Sequence, residues 1–527
     1  MNHVPYAAIL RRGEGATQPL ALEGRGLEPR QLTPAHVQPT GRRRKTGLLQ
    51  PVDLQNLELM RTTHSASVAK PHWPMALDPF GMSLARIAKT YHRLQRYLSN
   101  SYWLMGERLV GAGLGLVATV FVARYLGPEQ YGALAYALSL VALFAAAGHM
   151  GLHGLVVREI VRDPDGRPET LGTTAVLKLL GMALGYIGLL VYGLLYEGAG
   201  STEFYLIAIA GAGLLFRASS VVDFWFQAFV QAKYAVLANV TGHLVVTAFK
   251  LGLVLAGAGL VYFAAAQLLH AILVALLLVV VFRIKAELRL AQWRFNWQRA
   301  RLLLRQGWVI YLGSIFAVIY LKVDQVMLRW FADATEVGQY AVAAQLSEAW
   351  YFVPAAIVAS FFPKLIALRD EDSDVFYRRL QQLFDVLFLM GFGVAIVMSL
   401  AAPWLINLLF GVDYAASAQI LVIHTWAAIF IFMRAAFSKW ILIENALYFS
   451  LFTQGLGALA NVAMNYLLIP IYGGSGAAWA TLVSYAMASF FALLFYRRTR
   501  VVFWQMCLAM LAPVRYPLRF ALGSQGR

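Results

Sequence analysis

The chain has little of what a soluble enzyme or a secreted scaffold draws on. Its 527 residues include one cysteine, Cys507, which excludes an intrachain disulfide and any cysteine-built metal site. Only 13% of residues are charged, about half the share of an ordinary soluble domain. Acidic residues are the scarcer kind, 27 Asp+Glu against 44 Lys+Arg, for a formal net charge of +17. No Walker A sequence is present, so ATP is not the direct energy source, and no HExxH motif occurs. No nucleophile–base arrangement can be read. The first roughly 75 residues lack an apolar run that could form the core of a signal peptide.

What the chain has in abundance is apolarity: 60% of residues are hydrophobic and the mean hydropathy is +0.61. From residue 102 onward it becomes a series of apolar stretches, each long enough as a helix to cross a hydrocarbon core of about 30 Å. They run 102–124, 132–156, 171–196, 204–230, 234–256, 259–283, 307–331, 337–362, 380–410, 416–438, 447–469 and 474–496. The expected fold class is therefore an all-α integral membrane protein of about twelve helices. A basic net charge in a soluble protein points to nucleic acid. In a membrane protein it points to basic cytoplasmic loops, and no nucleic-acid partner is expected.

The loops carry that pattern. After even-numbered spans come Arg158, Arg162 and Arg167; Lys233; a run from Arg283 to Arg305; Lys364, Arg369, Arg378 and Arg379; Lys439; and Arg497, Arg498 and Arg500. The loops after odd-numbered spans are short and acidic or neutral (LGPEQ, EGAGSTE, ADATE, GVDYAA, IPIYGGS), with only Arg124 and Arg329 nearby. This alternation predicts both termini in the cytoplasm. Residues 1–80, rich in Pro, Gly, Gln and Arg, read as a disordered cytoplasmic tail or as a misassigned start, with Met75 or Met82 as the first residue. The piece 501–514 is too short to span comfortably and is expected to lie in the cytoplasmic interface or to re-enter.

An internal repeat divides the spans. ARYLGPEQYGALAYALSLVA matches LRWFADATEVGQYAVAAQLSEA, aligning Gly132 with Gly338, Ala135 with Ala341, Ala137 with Ala343 and Leu140 with Leu346. The longest basic loop, 284–306, falls between the copies. The expected organisation is an N-terminal six-helix lobe over 81–283, the linker, a C-terminal lobe over 307–500, and a short segment and tail over 501–527. Parallel repeats of this kind hold a substrate site between their halves and rock around it.

Charges within spans cost about 2.5–3.5 kcal/mol each at a helix centre, so the deep ones are functional candidates. Arg217, Lys250, Lys322 and Glu348 lie deepest and, with Arg329, are expected to line a cationic cavity for an anionic head group such as a pyrophosphate. Asp324 and Glu348 are candidates for ion coupling. Against this stands the plainer reading that Lys322 merely neutralises Asp324 or Glu348. Glu107, Arg108, Lys178, Asp223, Asp385, Arg434 and also Arg329 lie within reach of a span end, where snorkelling accounts for them. Lys322, Gln325 and Arg329 follow i, i+3, i+7 and share one helix face. His149 and His153 are four apart, but no carboxylate stands at ligand spacing, so packing is the expected role and no metal or cofactor is called for.

At this point the chain resembles a known family. FVARYLGPEQYGALAYALSLVALF, VDQVMLRWFADATEVGQYAVAAQLSEAW, WLINLLFGVDYAASAQILVI and NYLLIPIYGGSGAAWATLVSY, in this order, resemble the polysaccharide biosynthesis (Wzx-type O-antigen flippase) family of the multidrug/oligosaccharidyl-lipid/polysaccharide exporter superfamily. The resemblance covers about residues 100–500 and implies a two-lobed transporter of the bacterial inner membrane. Such a protein is no enzyme. It flips an undecaprenyl-pyrophosphate-linked oligosaccharide between leaflets for lipopolysaccharide O-antigen or exopolysaccharide synthesis, amid membrane lipids and beside a polymerase and a chain-length regulator. The resemblance assigns no individual site residue. An ion-coupled multidrug exporter, a lipid II flippase and a non-transporting scaffold of glycan assembly are the alternatives.

Overall fold

The computed structural model describes residues 84–517, with side chains from Ser99 onward; the expected tail, 1–80, lies outside the described residues. Among the described residues, ten helical stretches are long and apolar enough to cross a membrane. Two of these are hairpins drawn as one helix. Leu84–His149 reverses at Gly127, whose φ of 73° and ψ of 170° break it, which brings Thr119 and Tyr131 near each other across the reversal. Leu447–Ser489 reverses at Gly473 (φ 53°, ψ −132°), and Asn461 meets Ser484 across that turn. Ten stretches with two of them doubled make twelve legs. Glycine is needed at both turns because a left-handed φ is costly for any residue with a Cβ, and Pro128 starts the second leg with its φ already helical.

The remaining legs follow in order. Leg three is Arg167–Tyr196, leg five Lys233–Leu255, leg six Leu260–Lys285, leg seven Trp297–Phe331 and leg nine Ser373–Phe410. Four legs are interrupted. Leg two kinks at Met150 and Gly151, both at positive φ, before His153–Arg162. Leg four passes from Thr202–Phe216 through a 3-10 turn, Arg217–Ser220, into Val221–Ala228. Leg eight breaks between Ala334–Glu348 and Phe352–Glu371, and leg ten between Ala416–His424 and Ala427–Ile443. The breaks thus fall in the second and fourth legs of each half, which extends the sequence repeat from one hairpin to the whole lobe.

The buried apolar residues group by depth. One large cluster gathers the short-loop end of both halves, from Val122, Tyr136 and Leu214 to Val337, Phe410 and Ala478. At the basic-loop end the halves separate into an N-terminal cluster around Val156, Trp225 and Phe282 and a C-terminal one around Phe384, Phe432 and Met506. The two halves therefore share a core at one end and form two cores at the other, where Ala300 and Leu303 of leg seven join the N-terminal one. Leg seven extends further than the sequence predicts. It begins at Trp297, inside the expected linker, where the Asn296 side chain caps it by accepting from Arg299 N at 3.1 Å. Its first turns are pinned to the N-terminal half by Arg299–Asp163 at 2.6 Å and by Thr173 accepting from Asn296 N at 2.9 Å.

The C-terminal segment forms a helix, Arg500–Met510. It packs Val502, Phe503 and Met506 inward, and Arg515 and Tyr516 hydrogen-bond the buried carboxylate of Asp385 on leg nine.

Candidate functional site

The short-loop end is closed by backbone contact between the repeats. A Cβ added at Gly132 would collide with the carbonyl of Ala334 and lie 2.8 Å from Gly338 N. One added at Gly338 would collide with the carbonyl of Pro128. The two glycines that align in the repeat thus face each other across it, and small residues let two membrane helices approach this closely. Side chains reinforce the closure. Arg329 pairs with Glu203 at 3.2 Å, Trp330 donates to Tyr192 at 2.8 Å, and Tyr414 donates to the Ala123 carbonyl at 2.9 Å. Deeper, Ser139 donates to Gln325 at 2.6 Å.

Gln325 and Arg329 thus bond the N-terminal half from one face of leg seven, and Lys322 follows on it. Lys322 pairs with Glu348 on leg eight at 3.5 Å, each side chain about a quarter to a third exposed (30% and 26%). Arg217 and Lys250 lie in the N-terminal half, Arg217 at the break of leg four and Lys250 on leg five. Neither enters an ion pair among the described residues. Arg217 lies within Coulomb range of His149 and His270, and Lys250 of His243 and His270. The candidates therefore divide: two unpaired cations in one half, a lysine–glutamate pair in the other, and Arg329 in the closure between them.

Asp324 stands apart from Lys322. It is buried, 2% exposed, and its carboxylate accepts from Tyr340 at 2.7 Å, Thr481 at 2.6 Å and Asn465 at 2.5 Å. Asn465 in turn donates to Asn461 at 3.1 Å, while the Asn465 carbonyl oxygen is buried without a partner. Thr481 also reaches the Ala477 carbonyl at 3.0 Å. Sequence reasoning picked out Asp324 but missed this ring of neutral oxygens, although Asn461 and Asn465 at i, i+4 in an apolar helix were its visible signal.

The histidines behave as packing groups: His149 Nδ1 is 2.9 Å from the Ala145 carbonyl, and His153 sits edge-on to Phe224 at 4.9 Å. Outside the membrane, Asp163 is held below the usual carboxylate range by the hydrogen bond from Arg299.

Comparison with known proteins agrees with this architecture. A family model described as "Polysaccharide biosynthesis protein" matches residues 97–368. A curated relative, the "Probable flippase AglR" of Haloferax volcanii, is 25% identical over 421 residues, covering 74% of this chain and 81% of that one. Among solved structures, an inward-facing multidrug resistance MATE family transporter of the MOP superfamily aligns with a TM-score of 0.61 at 17% identity, covering 74% of this chain and 94% of its own. The lipid II flippase MurJ, in an inward closed conformation, aligns with a TM-score of 0.58 at 14% identity over 80% and 93%. These likenesses show a shared membrane-transporter fold.

Proposed function

The chain belongs to the polysaccharide biosynthesis protein family, and from this premise we propose that it flips an undecaprenyl-pyrophosphate-linked oligosaccharide from the cytoplasmic to the periplasmic leaflet. The basic loops then face the cytoplasm, in keeping with the distribution of Lys and Arg. The conformation described, with the repeats sharing one core at the short-loop end and holding two cores at the basic-loop end that the start of leg seven bridges, suits uptake of substrate from the cytoplasmic side.

The observation that carries this reading is the pair of cations without carboxylate partners. A lone charge within a span costs about 2.5–3.5 kcal/mol, and Arg217 and Lys250 remain there with no ion pair to offset it. An arriving pyrophosphate offsets it through charge-assisted hydrogen bonds. Lys322, loosely held by Glu348 at 3.5 Å, is the cation of the opposite half, free to exchange its partner for the substrate. Arg329, paired with Glu203, serves as a latch on the closed end. Of the two coupling candidates, Asp324 is the stronger, since its carboxylate is buried and held by three neutral donors with no basic partner among the described residues.

The test is on lipid extracts of a strain lacking the gene. Flipping as the missing step predicts accumulated lipid-linked oligosaccharide together with lost surface polymer. Unchanged lipid intermediates and unchanged polymer overturn it in favour of a multidrug exporter.

A further inference from the structure

One polar group of the N-terminal half takes no part in the reading above. Asp223, on the last segment of leg four, lies close enough to Glu107 and Lys178 to feel both charges. Yet Lys178 forms no ion pair with it among the described residues. Its ammonium instead donates to Ser220 at 2.6 Å and sits 5.0 Å over the Phe224 ring. Asp223 Oδ1 is sealed from solvent and has no hydrogen-bond partner. Glu107 accepts from Asn239 at 2.8 Å through one carboxylate oxygen. Legs two and four break around this group, at Met150–Gly151 and Arg217–Ser220. Irregular backbone at membrane depth is tolerated only where it lines a polar cavity or lies within protein.

A buried polar oxygen without a partner needs an explanation. A metal cation is a poor one, because the Lys178 ammonium, held at Ser220 and over Phe224, lies within Coulomb range of the carboxylate and repels it. An anion is equally poor, with Glu107 as a second carboxylate within Coulomb range. A neutral ligand that both donates and accepts suits the balance, and vicinal sugar hydroxyls do both. The ring of Phe224, with His153 on its edge, adds the apolar surface against which a pyranose can lie. We propose that Asp223, Glu107, Lys178 and Asn239 form a saccharide subsite that reads the glycan of the lipid-linked substrate. The two carboxylates accept from its hydroxyls while the lysine and the amide donate. The proposal rests on the flippase reading and adds to it the part of the protein that distinguishes one oligosaccharide from another.

The experiment uses the full chain in lipid nanodiscs and two probes. One is undecaprenyl pyrophosphate; the other is the lipid-linked oligosaccharide extracted from a strain lacking the gene. Asp223→Asn should weaken binding of the oligosaccharide probe about tenfold, the loss of one charge-assisted hydrogen bond. Binding of the bare carrier should hold or tighten, because removing a carboxylate leaves the cavity more positive. Glu107→Gln, read in the same way, decides the matter where Asp223→Asn lowers the melting temperature. Equal effects on both probes, or none, overturn the subsite. So does unchanged oligosaccharide affinity accompanied by a lost pH dependence of flipping, which makes Asp223 a proton site. A wild-type chain that binds neither probe better than phosphatidylglycerol overturns the flippase reading itself and the subsite with it.

Discussion

If the repeats close on each other through Gly132 and Gly338, a single methyl group should hold them apart. A Cβ at Gly132 would stand 2.8 Å from Gly338 N and closer still to the Ala334 carbonyl; one at Gly338 would stand 3.1 Å from Pro128 Cα. Ordinary carbon contacts lie at about 3.5–4.0 Å, and the atoms struck are backbone, with no side-chain rotamer to relieve them. The crossing must widen, and overpacking of this kind costs about 1–3 kcal/mol. Since about 1.4 kcal/mol is a factor of ten in an equilibrium, Gly132→Ala should move the closed-to-open ratio of this end roughly 5- to 150-fold. Arg124 and Leu408 make a convenient reporter, because the guanidinium of one lies 3.5 Å from the carbonyl of the other across the closure. Spin labels at these positions, in a background with Cys507 replaced by serine, should show a longer distance population in Gly132→Ala and Gly338→Ala. The double variant should cost less than the sum, since both methyls widen one crossing. Unchanged distance distributions with unchanged transport would refute the closure.

Further outcomes follow from the same geometry. Arg217→Ala and Lys322→Ala should each leave protein levels intact and reduce polymer export; normal surface glycan in both would remove the cationic cavity. Asp324→Asn should preserve substrate binding but abolish the dependence of flipping on an ion gradient, read in proteoliposomes with and without the gradient. Asp385→Ala should lower the melting temperature, because a buried pair broken at one partner costs about 3–5 kcal/mol, here by stranding Arg515 beside leg nine. The Arg299–Asp163 clasp should depend on pH in one direction. Arg299 depresses the folded-state pKa of Asp163. The contribution is therefore present above the unfolded carboxylate value and is lost as pH falls through the folded one. Protease nicking between 284 and 297 should rise in acid, and Asp163→Asn should remove the dependence.

Most of the fold was legible because lipid simplifies the sequence. Twelve spans could be counted where the helix boundaries could not, since an apolar run shows what must lie in hydrocarbon and is silent on how far a helix continues into the headgroups. Leg seven illustrates this: its first turns are basic, RARLLLRQ, and were read as linker, but they are helical because they pack on leg three. The repeat was visible at Gly132 and Gly338 as an alignment, while their contact across the interface was not, because nothing in a sequence says that two equivalent glycines touch.

At the site, depth is a poor guide both to burial and to partners: the buried charges are Lys178, Asp324 and Asp385, while Arg217 is exposed and Lys250, Lys322 and Glu348 are half-buried. Of the two partners the sequence offers Lys322, Glu348 is the one it meets and Asp324 is not, and Arg329, on the same face, reaches Glu203 at the closed end. Lys178 and Asp223 were assigned to snorkelling by their distance from a span end. The break of leg four turns that stretch inward, where Lys178 is 5% exposed. A Ser–Ser pair after an arginine, as in RASS, was the available signal for the break.

The most direct measurement is flipping itself: purified protein in proteoliposomes carrying the lipid-linked oligosaccharide in one leaflet, with an impermeant glycosidase or lectin reporting arrival in the other. Flippase activity predicts transfer well above protein-free vesicles and a marked loss in Arg217→Ala. Transfer at the protein-free rate, with every ion gradient supplied, would contradict it.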